Sequence, residues 1–281
     1  MKIVIPSKIA AILLVFTLIL PINAVFSAPL IFSAPPRESA TAGMKMYGPI
    51  AAYLSKLLGV TVTYVHPGNW LKYQREMRTD KYDIVVDGPH FASWRIAHLG
   101  HEAIVKLPGK LQFMLLADKN NRNLGDADKL IGKKICGISP PHLSTLSILD
   151  RYRNPVRQPV IKGIKGGMGK VTKSYFSKDG SCDAMVLRNK FFKKKLKKAQ
   201  RESLKLLFLS KAMPNQAITV SKRVSVVLKD KMRYELSRGT GVASTQGFIK
   251  RFAGKAKNLI PVKAGEYDGY NMLLEGVIFG W

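Results

Sequence analysis

The chain has 281 residues, of which 46% are hydrophobic, and a formal net charge of +28 from 46 Lys and Arg against 18 Asp and Glu. This hydrophobic content excludes a disordered chain, and the length allows two domains of ordinary size. The charge favours anionic partners, but it does not separate a small anion from a nucleic acid or an anionic membrane face.

The first 28 residues predict export. Lys2 and Lys8 precede or flank the start of an apolar run from Ile9 to Leu20. A run of about a dozen apolar residues is shorter than the roughly 20 that span a bilayer as a helix. Residues 1–28 therefore resemble a secretory signal peptide, with cleavage expected near residues 27–28, and an uncleaved anchor is the alternative. We expect a periplasmic protein.

Short β-rich runs alternate with amphipathic segments after Pro29, which predicts parallel strands joined by helical crossovers. In a first series the predicted strands are Leu30–Ala34, Val60–Val65 and Tyr82–Val86, and the predicted helices are Tyr47–Leu58, Trp70–Met77 and one from about His90. In a second series the predicted strands are Lys134–Ile138, Val160–Ile164 and Asp183–Leu187, with a helix over Ser144–Arg153.

Two extended segments, Glu102–Ala117 and Leu206–Val220, separate these series and are predicted to cross between two lobes. From about Val224 the chain reads as helical and returns to the first lobe. We therefore predict an α/β fold of two lobes with a cleft between them: residues 29–112 and 217–281 form lobe 1, and residues 113–216 form lobe 2. Within each lobe a ligand is expected beyond the carboxyl ends of the strands.

The stretch Lys190–Lys205 is strongly basic, and Phe192, Leu196 and Ala199 recur in it at helical spacing. This pattern predicts one surface helix with an apolar stripe and a solvated basic face. A docking surface for a membrane or a partner protein is the alternative.

The two cysteines, Cys136 and Cys182, are expected in an oxidising compartment and could be bridged. A bridge would close a loop of about 46 residues and contribute roughly 3–4 kcal/mol in the chain-entropy model. Two isolated buried thiols are the alternative.

No catalytic or metal-binding constellation stands out. The five histidines lack metal-ligand spacing, and the hydrolase signature Gly-x-Ser-x-Gly is absent. The glycine-rich segment 163–169 lacks the spacing and the Lys-Ser/Thr ending of a phosphate loop, so a turn is predicted there. We therefore expect no enzymatic activity, no metal and no cofactor.

Two stretches, Tyr47–Gly59 (YGPIAAYLSKLLG) and Lys81–Phe91 (KYDIVVDGPHF), resemble the phosphate, phosphite and phosphonate substrate-binding proteins of ABC importers. Gly132–Ile138 resembles the strand that opens the second lobe of this family, Ser144-Thr145 after Pro140-Pro141 its Ser/Thr-rich helix start, and Glu266–Tyr270 its C-terminal helix. The resemblance covers residues 30 to 281 and implies the type II periplasmic-binding (Venus-flytrap) fold.

The resemblance implies a solute-binding protein that captures a small oxyanion and passes it to an ABC transporter permease. We expect a monomer that does not bind nucleic acid. A sensory or accessory binding protein that signals to a membrane partner is the alternative. A polyanion-binding protein is a weaker hypothesis, because aromatic residues are not interleaved with the basic ones.

The sequence departs from the family at the second-lobe helix. Family members that bind phosphonates show Ser-Thr-Ser-Gly where this chain has Ser144-Thr145-Leu146-Ser147. Acidic residues that would face a ligand amine are not identifiable. The anionic part of the ligand is therefore better supported than an amine.

Candidate ligand-binding residues follow predicted strands or begin predicted helices. Ser144 and Thr145 could donate hydroxyls at a helix start, and an ordinary helix cap is the alternative. Arg37 offers a planar fork for oxyanion oxygens, with a surface salt bridge to Glu38 as the alternative. The remaining candidates are His142, His90, Tyr47, Trp94 as a pocket wall, and Arg188 at the end of a second-lobe strand.

Overall fold

The computed structural model describes residues 28–177 and 182–275. The predicted signal peptide, apart from Ala28, lies outside these residues. Within the described part of the chain, no helix combines the length and apolar character needed to cross a membrane.

The strands alternate with helices along most of the chain. In chain order the strands are β1 (Leu30–Ser33), β2 (Val62–Tyr64), β3 (Ile84–Asp87), β4 (Glu102–Lys106), β5 (Lys110–Leu111), β6 (Phe113–Asp118), β7 (Lys134–Ile138), β8 (Val160–Ile164), β9 (Ala184–Arg188), β10 (Leu204–Leu209), β11 (Met213–Pro214), β12 (Ala217–Val220) and β13 (Ile260–Pro261). The α-helices are α1 (Ala40–Leu58), α2 (Trp70–Arg78), α3 (Pro89–Leu99), α4 (Leu143–Leu149), α5 (Met168–Tyr175), α6 (Asn189–Lys195), α7 (Lys198–Glu202), α8 (Val226–Ser237) and α9 (Gln246–Phe252).

The first lobe is built on a six-stranded sheet in the order β13-β4-β12-β3-β1-β2. Strand β1 pairs in parallel with β2 and β3, whereas β12 runs antiparallel to β3 and β4. Ile50, Leu54, Met232 and Phe248 project from the helices onto this sheet and form its main core. Because β1 and β3 are parallel neighbours, their carboxyl ends lie at the same edge of the sheet.

The second lobe is built on a five-stranded sheet in the order β10-β6-β9-β7-β8. Strand β7 pairs in parallel with β8 and β9, and β6 runs antiparallel to β9 and β10. A disulfide joins Cys136 in β7 to Cys182 just before β9. Because β7 and β9 are parallel neighbours, their carboxyl ends lie at the same edge of this sheet.

The chain passes between the lobes where β4 leads to β6 and where β10 leads to β12. Between these strands, β5 and β11 pair as a short antiparallel ribbon. Asn215 Nδ2 donates to the carbonyl of Pro108 at 3.0 Å, and Leu107 N donates to the carbonyl of Gln216 at 2.9 Å. The predicted extended segment Glu102–Ala117 is thus divided between both sheets. The α/β, two-lobed fold class is confirmed.

Helix α1 begins seven residues before the predicted start at Tyr47. The Ser39 side chain accepts a hydrogen bond from Ala42 N at 3.3 Å as the N-cap, and Gly59 ends the helix at φ +67°. Gly43 has poor helix propensity, and no large apolar residue precedes Met44 in this segment, so its helical character was not evident from the sequence. Burial of Gly43 and Tyr47 against the sheet outweighs that local preference.

The prediction of a single helix over the basic stretch 190–205 is wrong. Helix α6 ends at Lys195, Leu196 adopts an extended conformation (φ −77°, ψ 141°), and α7 starts anew at Lys198. Leu196 is buried in the second-lobe core. Lysines of like sign three and four residues apart would repel one another along a continuous helix, which favours the break.

Three other predicted helical segments differ from the structure. Helix α4 stops at Leu149 instead of Arg153, and Arg153 lies in the left-handed region at φ +48°. In the predicted helix Glu266–Tyr270, residues 266–269 form turns, because Gly265 and Gly269 adopt positive φ of 70° and 78°, and a 3-10 helix follows over Tyr270–Leu273. Beyond Val224 the chain also contributes β13 to the first sheet.

Candidate functional site

Segments from both lobes meet beyond the carboxyl ends of β1, β3 and β7. Arg37 follows β1, Gly88 and His90 follow β3, and the turn that leads to His142 follows β7. The His90 ring donates from Nε2 to the carbonyl of Pro141 at 3.1 Å, so the lobes touch at this point. Arg37 and His90 both approach Gly88, and burial, together with the charge of Arg37, lowers the pKa of both His90 and His142.

Arg37 supplies the positive charge of this group. Its Nη1 is buried and has no hydrogen-bond partner. Glu38, the neighbour expected to pair with it, instead forms an ion pair with Arg251 at 2.9 Å. The Arg37 guanidinium lies 5.9 Å from the ring centroid of Phe252. Within the described ranges, no carboxylate lies within 4 Å of this guanidinium, so its charge is available to an anion.

His90 presents an acceptor. The residue is only 1% exposed, and burial, aided by Arg37, lowers its pKa to about 3. The imidazole is therefore neutral near pH 7. Because a carbonyl can only accept, Nε2 carries the proton in the contact with Pro141, and Nδ1 keeps a free lone pair. Nδ1 is buried without a partner.

Gly88 allows Arg37 and His90 to approach each other. A Cβ atom at this position would lie 3.2 Å from His90 Nδ1 and 3.5 Å from Arg37 Nη2. Both polar groups therefore flank one point of the backbone. Gly88 has φ −72° and ψ 164°, a conformation open to any residue, so the need for glycine here is one of space.

The neighbouring Asp87 does not oppose an anion with a free charge. Arg95 Nε donates to its Oδ2 at 2.8 Å, and Tyr73 donates its hydroxyl to Oδ1 at 2.5 Å. Both side chains of the Arg95–Asp87 pair are fully buried. The carboxylate at the end of β3 is thus neutralised on the interior side of the strand.

In the second lobe, His142 caps helix α4, where the sequence predicted Ser144 at the helix start. His142 Nδ1 accepts from Ser144 N at 3.2 Å and lies 2.7 Å from Ser144 Oγ. Burial and the charge of Arg37 lower the His142 pKa to about 3. In this neutral ring the proton resides on Nε2, which is a donor. Ser144 therefore orients a donor next to Arg37.

Thr145 points into its own lobe. Its hydroxyl donates to the carbonyl of Ile138 at 2.5 Å, and its Oγ1 lies 2.9 Å from the position of a Cβ on Gly137. The side chain is fully buried. The hydroxyl hydrogen is thus used in holding helix α4 to the end of β7.

Tyr47 and Trp94 support the group from the first lobe. Tyr47 packs against Phe32, Tyr64 and Phe248, and burial raises its pKa while Arg37 opposes the shift. Trp94 belongs to an apolar cluster that also includes Leu146 of α4 and Leu274. We call this cluster the seam, because it joins side chains of both lobes.

Arg188 makes no contact with this group. It ends β9 and lines a separate pocket of about 280 Å³, and burial lowers its pKa. Sequence reasoning missed two features: the Phe252 ring beside Arg37, and the lysines that share the pocket of Arg188. Their signal was weak, since Phe252 lies far from Arg37 in sequence and the lysines belong to a generally basic stretch.

The described residues contain no cluster of His, Cys, Asp and Glu side chains that could hold a metal ion. The convergent groups are a guanidinium, an imidazole donor and an imidazole acceptor. This set suits an oxyanion, since charge-assisted hydrogen bonds from Arg are strong and two-pronged.

Two α/β lobes, joined by two crossings and facing each other over this group, define the type II periplasmic binding proteins. The model of the family "ABC transporter, phosphonate, periplasmic substrate-binding protein" matches residues 32–267. The chain belongs to this family. A comparison with curated proteins found no match.

Several solved structures share the fold. XAC2383 from Xanthomonas citri, solved with ATP, has a TM-score of 0.66 at 12% identity, covering 88% of this chain and 96% of that one. PhnD1 from Prochlorococcus marinus, solved with methylphosphonate, has a TM-score of 0.59 at 17% identity, covering 87% and 96%. A phosphonate transporter binding component from Pseudomonas aeruginosa (PA3383) has a TM-score of 0.54 at 13% identity, covering 85% and 83%.

Proposed function

We propose that the protein captures a phosphorus oxyanion, phosphonate or phosphate, between its lobes and presents it to the permease of an ABC importer. One observation carries the proposal: Arg37 Nη1 and His90 Nδ1 are both buried without partners, and both side chains flank Gly88. A buried polar atom without a partner costs about 1–3 kcal/mol, which a ligand that pairs with both atoms recovers.

The pairing of donor with acceptor favours an oxyanion that carries a hydrogen. Arg37 and His142 Nε2 donate to negatively charged oxygens, whereas neutral His90 Nδ1 accepts. Phosphate and phosphonates keep a P–OH group near neutral pH, and that hydroxyl can donate to His90. Sulfate has no hydrogen there and would place an oxygen lone pair against the Nδ1 lone pair. The site is therefore expected to reject sulfate.

Capture follows from the placement of these groups on different lobes. Arg37 and His90 belong to the first lobe, and His142, held by Ser144, belongs to the second. Only a closed arrangement allows one ligand to contact all three, so the ligand favours closure through its differential contacts. Thr145, Tyr47 and Trp94 have positioning roles in this proposal.

The ligand class rests on these residues. PhnD1 was solved with methylphosphonate, and at 17% identity its likeness to this chain establishes the fold only. Family membership favours a role in import, and no feature of the described residues favours a sensor. Removal of residues 1–28 during export, the lobe limits at residues 112 and 216, and a monomeric state belong to the same proposal.

Isothermal titration of the refolded, ligand-stripped protein tests the proposal. We expect methylphosphonate or phosphate to bind and sulfate to bind at least about 100-fold more weakly, the scale on which a site with a misplaced hydrogen-bonding group discriminates. If neither phosphate, phosphite nor methylphosphonate binds, the proposed function is wrong. If sulfate binds as tightly as they do, the role given to His90 Nδ1 is wrong.

A further inference from the structure

A second basic pocket lies at the carboxyl edge of the second-lobe sheet. It encloses about 280 Å³ and is lined by Lys110, Gln112, Arg188, Asn189, Lys190, Lys193, Lys194 and Ala212. The lining thus includes five cationic side chains and no carboxylate. Asn189 adds a buried Oδ1 that has no hydrogen-bond partner.

This basic pocket lies at the same edge of the second-lobe sheet as the turn that carries His142. Cys136 of β7 pairs with Met185 of the parallel neighbour β9. Because these strands are parallel, the residues that follow them, Ser139 after β7 and Asn189 after β9, leave the sheet at the same edge, where Arg188 ends β9. Ser139 opens the turn that carries His142, so one strand end serves the anion group and the next serves the basic pocket.

Lys190 of the basic pocket also approaches the first lobe across the cleft. Lys190 Nζ lies 4.0 Å from the position that a Cβ on Gly254 would occupy. Gly254 follows Phe252 by two residues, and the Phe252 ring is the one beside the Arg37 guanidinium. Lys190 therefore approaches the first lobe next to the element that supports Arg37.

The charges of the basic pocket are not compensated by the protein. None of its five cationic side chains has a carboxylate within 4 Å in the part of the chain that the structure describes. Burial, Arg188 and Lys194 lower the pKa of Lys190, as expected for cations held close together. An anionic group placed among them would relieve this repulsion.

We infer that the ligand carries a second anionic group, which binds in the basic pocket while its phosphorus oxyanion binds at Arg37, His90 and His142. The inference rests on the proposed function and gives it a substrate class: organic phosphonates or phosphates with a further carboxylate or phosphoryl group. A ligand with an amine in that position is disfavoured, because a cation would meet five others and no carboxylate, and the single unpaired acceptor, Asn189 Oδ1, is neutral.

Titration with matched phosphonates tests the inference. The probes are methylphosphonate, 2-aminoethylphosphonate, and carboxyalkylphosphonates whose carboxylate is separated from phosphorus by one, two or three methylene groups. We expect at least one carboxyalkylphosphonate to bind about 10-fold or more tightly than methylphosphonate, and the aminoethyl compound to bind more weakly than methylphosphonate. Equal affinities throughout, or tighter binding of the amine, would overturn the inference and leave the oxyanion site in place. No binding of any probe would overturn both.

Variants localise the effect. The double variant Lys190→Gln/Lys194→Gln should reduce the ratio of the carboxyalkylphosphonate affinity to the methylphosphonate affinity to about one. Both lysines are exposed, so folding is not at risk. Lys195→Gln is the matched control, because it removes a charge from the same helix outside the lining, and it should preserve the ratio. If the control lowers the ratio as much as the double variant does, general attraction by the basic surface explains the preference and the pocket does not.

Discussion

Replacing Arg37 by glutamine should abolish most of the affinity for the oxyanion with little effect on folding. The guanidinium has no carboxylate partner among the described residues, and its Nη1 is buried without a hydrogen bond. A hydrogen bond to a charged group contributes about 1.5–3 kcal/mol, and a guanidinium can make two to one oxyanion. A loss of about 3 kcal/mol corresponds to a Kd increase of roughly 150-fold.

The free energy of unfolding should change by no more than about 1 kcal/mol. The variant loses the contact with the Phe252 ring, worth about 0.5–1 kcal/mol, but it also relieves an unpaired, partly buried charge. Arg251→Gln is the matched control, because Arg251 lies over the same ring at 4.8 Å and pairs with Glu38. It should alter the Kd by less than about 3-fold, since an exposed ion pair contributes little.

Three measurements together decide this prediction. Isothermal titration gives the Kd, urea denaturation gives the free energy of unfolding, and NMR follows the histidine rings. Loss of the Arg37 charge should raise the pKa of His90 and His142, since that charge lowers both. An affinity within 3-fold of wild type would refute the placement of the anion at Arg37. A large loss of stability would show that the residue serves folding instead.

Two further predictions concern neighbours of Arg37. Acidification should destabilise the protein through His90 and His142. Each histidine has a pKa of about 3 in the folded protein and about 6.5 when unfolded, so the unfolded chain binds protons first as the pH falls. Their contribution to stability is therefore complete above pH 6.5 and is lost as the pH falls to about 3. The free energy of unfolding should change by at most about 1.4 kcal/mol per pH unit for each histidine. The urea midpoint of a His90→Gln/His142→Gln variant should vary less with pH in this range than that of the wild type. An equal pH dependence of the two proteins would contradict the role given to these histidines. Gly88→Ala should weaken oxyanion binding by roughly 10-fold, because its methyl group would lie 3.1 Å from His90 Cε1 and displace the ring. Titration measures this effect, and an unchanged Kd would show that the ring need not hold its position.

The fold class was predictable from the sequence because strand and helix periods alternate strongly between residues 30 and 220. The strands around Ile84 and Ile135 are short, β-rich runs between clear breakers, and both were predicted within two residues. The errors arise where tertiary contacts outweigh local preference. Leu196 is buried in the core and interrupts a lysine-rich helix, whereas α1 extends back to Ala40 through Gly43, which is buried against the sheet despite its poor helix propensity.

The site was predictable only as a set of candidates. Arg37, His90 and His142 stand out because each follows a strand end, and the sequence could name them without showing that they meet. The role of the Thr145 hydroxyl could not be predicted from the sequence. Whether Thr145 faces a ligand or the carbonyl of Ile138 depends on a side-chain torsion, which no pattern of residue types encodes. The tautomer of His90 depends likewise on a contact from the other lobe.

The seam formed by Trp94, Leu146 and Leu274 has a consequence for how tightly any guest is held. Its apolar surface is removed from water whenever the halves meet, with or without a ligand, at about 25 cal/mol for each Å². That contribution offsets part of the free-energy cost of closing the two lobes. The cost of closure therefore reduces the apparent affinity for the ligand by a smaller amount. Substitutions at these three apolar positions would therefore change the affinity for the solute while every polar contact stays the same.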